Sequence, residues 1–419
     1  MNIIKNLLKI NNHKDFFDYF ILNRKKLKKI NYNDLLKLES KLSKFLIDKE
    51  ICNLVLNGYQ EINKVNDKNI KYYTILVNNE LKKKSMYVYF YFYYILSKFV
   101  KKLYLPLDFE FNTKKVALMQ ANFETNFNNR FIFIFYPPDL SNYWLSVLIK
   151  KILGNKNILK ILHGSDSLDI PYVLSDLITK KKYQEKFLYS FIDTKFFCEY
   201  YNYDNDLDRK CKIYQFLKDQ KIITNKKLEE LYANEENMGH IYDIFIDVNN
   251  ISQPLLLYTL YDVIFLKYLY LVFPLENKIY KRLIPELTQV VFMERREVND
   301  TFKIINESNN KQNNYFYIKN NKKIKMIETY NKILNSLPND IYKFNVLFKI
   351  NYFKKLLKTI IKYILYFNIN KNYIVYKKKN TENIDTSNLD SLYNTNLNEF
   401  NKLLDYLINN IKYQVNNKL

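Results

Sequence analysis

The sequence has few of the residues that make covalent crosslinks or soft-metal sites. It contains 3 Cys, 3 His, 4 Gly and 8 Pro among 419 residues. The cysteines, Cys52, Cys198 and Cys211, are odd in number and lack metal-ligand spacing, so neither a disulfide framework nor a zinc site is expected. A reducing compartment fits this usage best. With so few histidines, any metal site must consist mainly of carboxylates, which suits Mg²⁺ or Mn²⁺.

The sequence also lacks a long uncharged apolar run and a recognisable signal peptide. The most membrane-like window, residues 255–275, contains Asp262 and Lys267, and a charge at mid-span is costly in lipid. We therefore interpret it as a buried helix of a soluble domain and expect no membrane partner. The first ten residues are interrupted by Lys5 and Lys9, and no small-residue cleavage site follows. An intracellular protein is expected, in the cytoplasm or nucleus, or in the host cell if the source is a virus.

Positive charge is abundant. The chain has 66 Lys and Arg against 43 Asp and Glu, a formal charge of +23. Such an excess favours a polyanionic partner, because Lys and Arg release counterions from phosphates on binding. The high Lys, Asn, Ile and Tyr content also indicates an AT-rich coding genome, as in a protist or a large DNA virus, which inflates the Lys count. A solvated basic surface is the alternative interpretation.

Two carboxylates lie at the end of an apolar segment, residues 103–111. In a strand, Asp108 and Glu110 would project from one face, where like charges repel each other unless a cation lies between them. The pair indicates a divalent metal, although Asp-x-Glu alone is a weak signal. Short links between this segment, residues 115–123 and residues 130–136 predict an antiparallel meander of three strands.

Three further segments follow in order. They are residues 163–172 (HGSDSLDIPY), residues 191–195 (FIDTK) and residues 258–262 (YTLYD). Tyr258 and Asp262 are four residues apart on a predicted helix that Ser252 caps, so they share a face. Taken alone, this pair is also typical of a core tyrosine with a salt-bridged aspartate.

Taken together, the four segments resemble the signatures of the Tyr-containing, RNase D-like branch of the DEDD 3′-5′ exonucleases. The resemblance spans residues 103–275. It implies an α/β fold of the RNase H-like type: a mixed sheet of three antiparallel strands, then parallel strands with flanking helices. A predicted helix at 144–153, strand at 158–162 and helix at 168–178 fit this order. Helical extensions are expected on both sides.

The resemblance also implies two divalent metal ions, Mg²⁺ or Mn²⁺, and a role for each site residue. Asp108 would bridge both ions. Glu110 and Asp262 would complete the site of the ion that activates water, and Asp169 would act mainly on the second ion. Tyr258 would orient the attacking water or assist as a base. Two residues are expected to support the site without binding metal, His163 and Asp193.

The second segment departs from the family pattern. The family aspartate usually comes one residue sooner after His-Gly, so either Asp166 or Asp169 could be the ligand. We favour Asp169 because it precedes a periodic apolar segment, as the family residue does. The residues of that segment are Ile170, Val173, Leu174 and Leu177.

Three regions are expected: a helical N-terminal region at 1–100, the exonuclease domain at 101–275, and a helical C-terminal region at 276–419 with a polar linker at 377–391. The implied function is a metal-dependent 3′-5′ exonuclease acting on single-stranded RNA or DNA with a free 3′ end, with RNA processing or degradation favoured. A DNA exonuclease in repair and an inactive nucleic-acid-binding scaffold are the alternatives. The C-terminal helices are expected to bind nucleic acid or a protein partner.

Overall fold

The computed structural model describes residues 2–277 except 66, 67, 114 and 167, together with positions 280, 281, 284, 285, 288 and 292. The expectations for a helical C-terminal region and its linker therefore lie almost entirely outside the described residues. The strands are β1 (Leu54–Asn57), β2 (Lys71–Leu76), β3 (Leu103–Asn112), β4 (Lys115–Phe123), β5 (Asn129–Phe135), β6 (Ile158–Leu162) and β7 (Phe191–Asp193). The helices are α1 (Asn2–Lys9), α2 (His13–Leu27), α3 (Tyr32–Leu46), α4 (Gly58–Glu61), α5 (Glu80–Leu96), α6 (Asn142–Val147), α7 (Asp169–Tyr172), α8 (Lys181–Tyr189), α9 (Thr194–Asp204), α10 (Ile213–Asp219), α11 (Asn225–Met238), α12 (Gln253–Ile264) and α13 (Leu266–Leu271).

The structure also contains short π-helical and 3₁₀-helical segments. Helices α6 and α7 continue as π-helical segments, Leu148–Leu153 and Val173–Leu177, and single 3₁₀ turns lie at Pro137–Asp139 and Ile241–Asp243.

The seven strands form one mixed sheet in the order β1-β2-β5-β4-β3-β6-β7. The β3-β4-β5 meander is antiparallel, β6 runs parallel to β3, and β7 runs parallel to β6. This confirms the predicted mixed α/β fold, since three antiparallel strands followed by parallel ones with flanking helices is the RNase H-like arrangement. It places β3, which carries Asp108 and Glu110, inside the sheet between β4 and β6.

The region at 1–100, expected to be helical, is not helical throughout. Strands β1 and β2 lie within this region, and β2 joins the sheet by pairing in parallel with β5, from Lys71 opposite Asn129 to Leu76 opposite Ile134. The aromatic and β-branched content of β2 suits a strand, but its partner lies far along the chain. Local periodicity does not reveal such a pairing.

Two helices cover opposite faces of the sheet beside β4. Helix α5 places Tyr93 against Phe123, with ring centroids 4.8 Å apart. The next residue back along β4, Asn122, points the other way and donates a hydrogen bond of 3.3 Å to the carbonyl of Val263 in α12. Alternation along the strand thus assigns α12 to the face opposite α5.

The most membrane-like window is a core element in this structure. Residues Gln253–Leu271 are long and apolar enough to span a membrane by length and composition, and 61% of the window is buried inside the protein. Lys267 in this window pairs with the buried Glu124, with Nζ and Oε2 2.9 Å apart. The burial fits the interpretation of a core helix.

Cys198 and Cys211 form a disulfide, contrary to the expectation drawn from cysteine spacing. Their Cα atoms lie 5.9 Å apart, within the range that a disulfide requires. Cys198 lies in α9 and Cys211 just before α10, so the pair links two helices separated by a short polar connection. The spacing of the two cysteines in the sequence does not show that they lie close together, because the fold determines the distance between them.

Candidate metal centre

Three carboxylates from two elements converge on one side of the sheet. Asp108 and Glu110 project from the same face of β3, and Asp262 reaches them from α12; one oxygen from each lies within 4.8 Å of the others. Helix α12 starts where predicted, because the Ser252 side chain accepts a hydrogen bond from the backbone N–H of Leu255. We call Asp108, Glu110 and Asp262 the acid cluster.

Burial and mutual repulsion make the charged forms of these acids costly. Burial first, and the charge of Asp169 second, raise the pKa of Asp108 well above its usual range. The pKa of Glu110 is raised in the same way by burial, then by Asp108 and Asp262. Burial and Asp108 do the same to the pKa of Asp262. In the described part of the chain no Lys or Arg pairs with the acid cluster.

Asp169 and Asp166 differ in surroundings. Asp169 begins α7, is buried, and raises the pKa values of Asp108 and Glu110 through its charge. It lies outside the group of three mutually close oxygens. Asp166 instead makes an ion pair with Lys195, with Oδ1 and Nζ 2.9 Å apart. The carboxylate of Asp166 is therefore already neutralised by a side chain, whereas Asp169 adds to the repulsion in the acid cluster.

Asp193 fastens the loop that leads into α7. Its Oδ1 accepts from the backbone N–H of Gly164 at 3.0 Å, and its Oδ2 accepts from the N–H and hydroxyl of Ser165 at 2.9 and 2.7 Å. Lys195 N–H adds a further bond of 2.9 Å to Oδ1. Because both oxygens are saturated by this loop, Asp193 is suited to support the site and not to bind a metal.

His163 anchors the same loop from its other side. Its Nε2 lies 3.1 Å from the carbonyl oxygen of Cys211, which can only accept, so this nitrogen carries a proton. Its Nδ1 lies 3.0 Å from the hydroxyl of Thr194. Burial lowers the pKa of His163, which keeps the ring neutral and therefore suited to a structural part.

Two tyrosines hydrogen-bond the Asp262 carboxylate. Tyr258 lies one helical turn before it on α12, and Tyr214 on α10 places its hydroxyl 3.3 Å from Oδ1 of Asp262. The Asp262 charge first, and burial second, raise the pKa of Tyr258. The sequence motif predicts Tyr258, but nothing in the sequence marks Tyr214, because its role arises from the packing of α10 beside α12.

Gln120 is a second residue that the sequence motifs miss. The β3–β4 register puts it directly opposite Asp108, so both side chains lie on the face that α12 covers. It is fully buried, and neither its amide oxygen nor its amide nitrogen has a hydrogen-bond partner among the described residues. The signal in the sequence is a lone polar residue inside the apolar strand β4, since buried polar groups are normally paired.

The donor set of the acid cluster fits a hard divalent cation. It offers carboxylate oxygens without thiolate or imidazole, which is the ligand chemistry of Mg²⁺ and Mn²⁺. The closely spaced acids lack cationic partners in the described residues, and a bound cation would relieve their repulsion. The acid cluster is therefore compatible with divalent metal binding.

The chain matches no protein-family model. It is 34% identical over 370 residues to the uncharacterized protein L533 of Acanthamoeba polyphaga mimivirus, a match that covers 81% of this chain and 72% of that protein. The chain belongs to the family of this mimivirus protein. The relationship assigns no activity, because the relative is uncharacterized.

A solved structure, the Nibbler EXO domain of Aedes aegypti, is similar to 48% of this chain and 91% of its own length. The two share 12% sequence identity, and the TM-score is 0.30. A similarity at this level carries no argument about the site, which depends on the residues described above.

Proposed function

We propose that this protein is a metal-dependent 3′-5′ exonuclease of the RNase D-like type that hydrolyses phosphodiester bonds from the 3′ end of a single strand. The observation that carries the proposal is the convergence of Asp108, Glu110 and Asp262, with Tyr258 hydrogen-bonded to Asp262. The order of the sequence motifs supports the 3′-5′ direction. Asp169 is the fourth carboxylate of the proposed site.

Phosphodiester hydrolysis needs a positioned water, an in-line approach and stabilisation of the leaving 3′ oxygen. Two divalent cations, when bound, polarise the phosphate, lower the pKa of water and neutralise the charge that develops on the leaving oxygen. Asp108, Glu110 and Asp262 would hold one ion, while Asp108 and Asp169 would serve the second. The chain's own contribution is to fix these donors on a rigid strand and helix.

Tyr258 would orient the attacking water. Its raised pKa keeps the hydroxyl protonated, so it donates to Asp262 and its oxygen lone pairs remain free to accept from a water O–H. A water held in this way presents its own lone pair to the phosphorus. Loss of the hydroxyl should slow turnover by roughly 10²-fold, while the carboxylates that bind metal stay in place.

We further propose a single-stranded RNA substrate in an intracellular setting, because the motifs are most similar to those of the RNA-processing branch. The net charge of +23 supports a polyanionic partner. DNA is the alternative substrate, and the experiment below separates the two.

The test is to incubate the purified full chain with 5′-labelled single-stranded RNA or DNA in Mg²⁺, Mn²⁺ or EDTA. We expect a stepwise ladder that shortens from the 3′ end and is abolished by EDTA, by Asp108→Ala and by Asp262→Asn. Tyr258→Phe should give a slow ladder. The faster substrate identifies the physiological class of nucleic acid.

Asp139→Asn is the matched control. Asp139 is an exposed carboxylate that pairs with Lys83 of α5, on the face of the sheet opposite α12. This variant should cleave like the parent. A parent that leaves both substrates intact in Mg²⁺ and Mn²⁺, or an Asp108→Ala variant that degrades them as fast as the parent, would refute the proposed function.

A further inference from the structure

Two aromatic side chains stand out from the surface between α11 and α12. Tyr242 is 86% exposed and Phe245 is 81% exposed, the two highest values among the large hydrophobic side chains of the described residues. Both belong to residues 241–246, which we call the aromatic segment. Single exposed apolar residues are ordinary, but two rings this exposed and three residues apart are a feature to explain.

The aromatic segment is held at the end of the strand that carries the acid cluster. The Asn112 amide nitrogen donates to the carbonyl of Ile246 at 2.7 Å, and its amide oxygen accepts from the N–H of Ile246 at 3.0 Å. Asn112 is the last residue of β3 and follows Glu110 by two positions. The double hydrogen bond therefore fixes the backbone of the aromatic segment close to the metal centre.

Phe245 faces outward, while buried apolar residues follow it within and just after the aromatic segment. Ile246 and Val248 are buried, at 4% exposure each, while Phe245 points to solvent. The described residues provide no ring contact for Tyr242 or Phe245. The apolar anchors thus account for the stability of the segment, and the two outward rings add nothing to its packing.

The charged side chains of the site do not attract a nucleic-acid strand before metal is bound. In the metal-free site the acid cluster and Asp169 repel phosphate, and the cation Lys195 is paired with Asp166. Base–aromatic stacking does not depend on the phosphate charge, because the ring contacts the base and not the phosphate. Stacking of a base on an aromatic ring is favourable and tolerates any sequence.

We propose that Tyr242 and Phe245 form a stacking platform for the bases of a single-stranded nucleic acid whose 3′ end enters the metal centre. The platform rests on the proposed function, and deepens it by assigning substrate binding to residues outside the four sequence motifs. It selects unpaired bases, since bases in a duplex present no free face to a ring.

The test measures binding and cleavage separately. A 5′-fluorescein oligonucleotide is titrated by fluorescence anisotropy with the full chain carrying Asp108→Asn, which prevents cleavage, and with the same chain carrying Tyr242→Ser and Phe245→Ser as well. We expect the added pair to weaken binding by roughly 10- to 100-fold. Tyr189→Ser on α8 is the matched control, because Tyr189 is 68% exposed, and it should leave the Kd unchanged.

An oligonucleotide with abasic 3′-terminal nucleotides isolates the stacking contribution. It should bind the Asp108→Asn chain and the chain that also carries Tyr242→Ser and Phe245→Ser, the platform variant, equally weakly. The reason is that no base remains to stack. If the parent degrades single strands but the platform variant binds the intact oligonucleotide as tightly as the Asp108→Asn chain, the platform is refuted and the nuclease assignment stands. If the parent neither cleaves nor binds single strands, the proposed function fails and the platform fails with it.

Discussion

At the residue scale, the acid cluster is costly to the folded protein in the absence of metal. Asp108, Glu110 and Asp262 are brought within 4.8 Å of one another without a cationic partner in the described residues. All three have raised pKa values, caused first by burial. Clusters of this kind oppose folding, and proteins retain them at functional sites.

A pH-dependent stability follows from these pKa shifts. A carboxyl whose pKa is raised by folding binds more protons in the folded state, so its contribution to the free energy of unfolding falls as pH rises from its ordinary pKa, about 4, toward the raised value. In EDTA near neutral pH, Asp108→Asn should therefore melt at a higher temperature than the parent. For a chain of this length, each 1 kcal/mol gained corresponds to about 1–2 °C.

Calorimetry in EDTA at a series of pH values checks this expectation. The advantage of Asp108→Asn should shrink toward acid pH, where the parent carboxyls are already protonated. A variant that melts below the parent at neutral pH, or a difference that does not change with pH, would contradict the account of the acid cluster.

At the element scale, the loop from His163 to Ser165 places the start of α7. Gly164 has φ +72°, a conformation that side chains with a Cβ adopt only at a cost, and the Asp193 carboxylate fixes the loop around it. We expect Gly164→Ala to lose about 1 kcal/mol of stability and to weaken Mn²⁺ binding, because the strain is relieved by moving the loop that carries Asp169.

Gly239→Ala is the matched control for backbone strain. Gly239 also has positive φ, +79°, and its added Cβ would meet nothing within 4 Å. Thermal melting should report a loss of stability for both variants, whereas calorimetric Mn²⁺ titration should report a weaker affinity for Gly164→Ala alone. Equal Mn²⁺ affinities in the two variants would show that the loop from His163 to Ser165 does not influence metal binding.

The elements around the site could largely be predicted from the sequence. The strand predicted at 115–123 matches β4 residue for residue. The strand predicted at 103–111 is one residue shorter than β3, and the one predicted at 130–136 is shifted by one residue from β5. Helix α12 begins at its predicted cap. These signals are local: apolar runs, short turns and a capping serine.

What the sequence could not reveal depends on contacts between distant segments. Strand β2 needs β5 as a neighbour, the disulfide joins Cys198 to Cys211 through the fold, and Tyr214 reaches Asp262 only because α10 packs near α12. Gln120 was detectable as a polar residue in an apolar strand, but only the register shows that it faces Asp108.

At the scale of the whole molecule, a strongly basic chain contains a strongly acidic centre. The chain carries a net charge of +23, while the face of the sheet under α12 concentrates carboxylates. A net positive charge attracts polyanions over distances of about a Debye length, and in the proposed function a cation bound at the acidic centre would act on a phosphodiester. This division of charge fits a nuclease better than a purely structural protein.

The most direct measurement of the central claim is a calorimetric titration of the metal-free full chain with Mn²⁺ at neutral pH. The account predicts saturable binding of two ions per chain, with Asp139→Asn binding like the parent and both Asp108→Asn and Asp262→Asn losing most of the affinity. Absence of Mn²⁺ binding by the parent, or unchanged affinity in Asp108→Asn and Asp262→Asn, would contradict it.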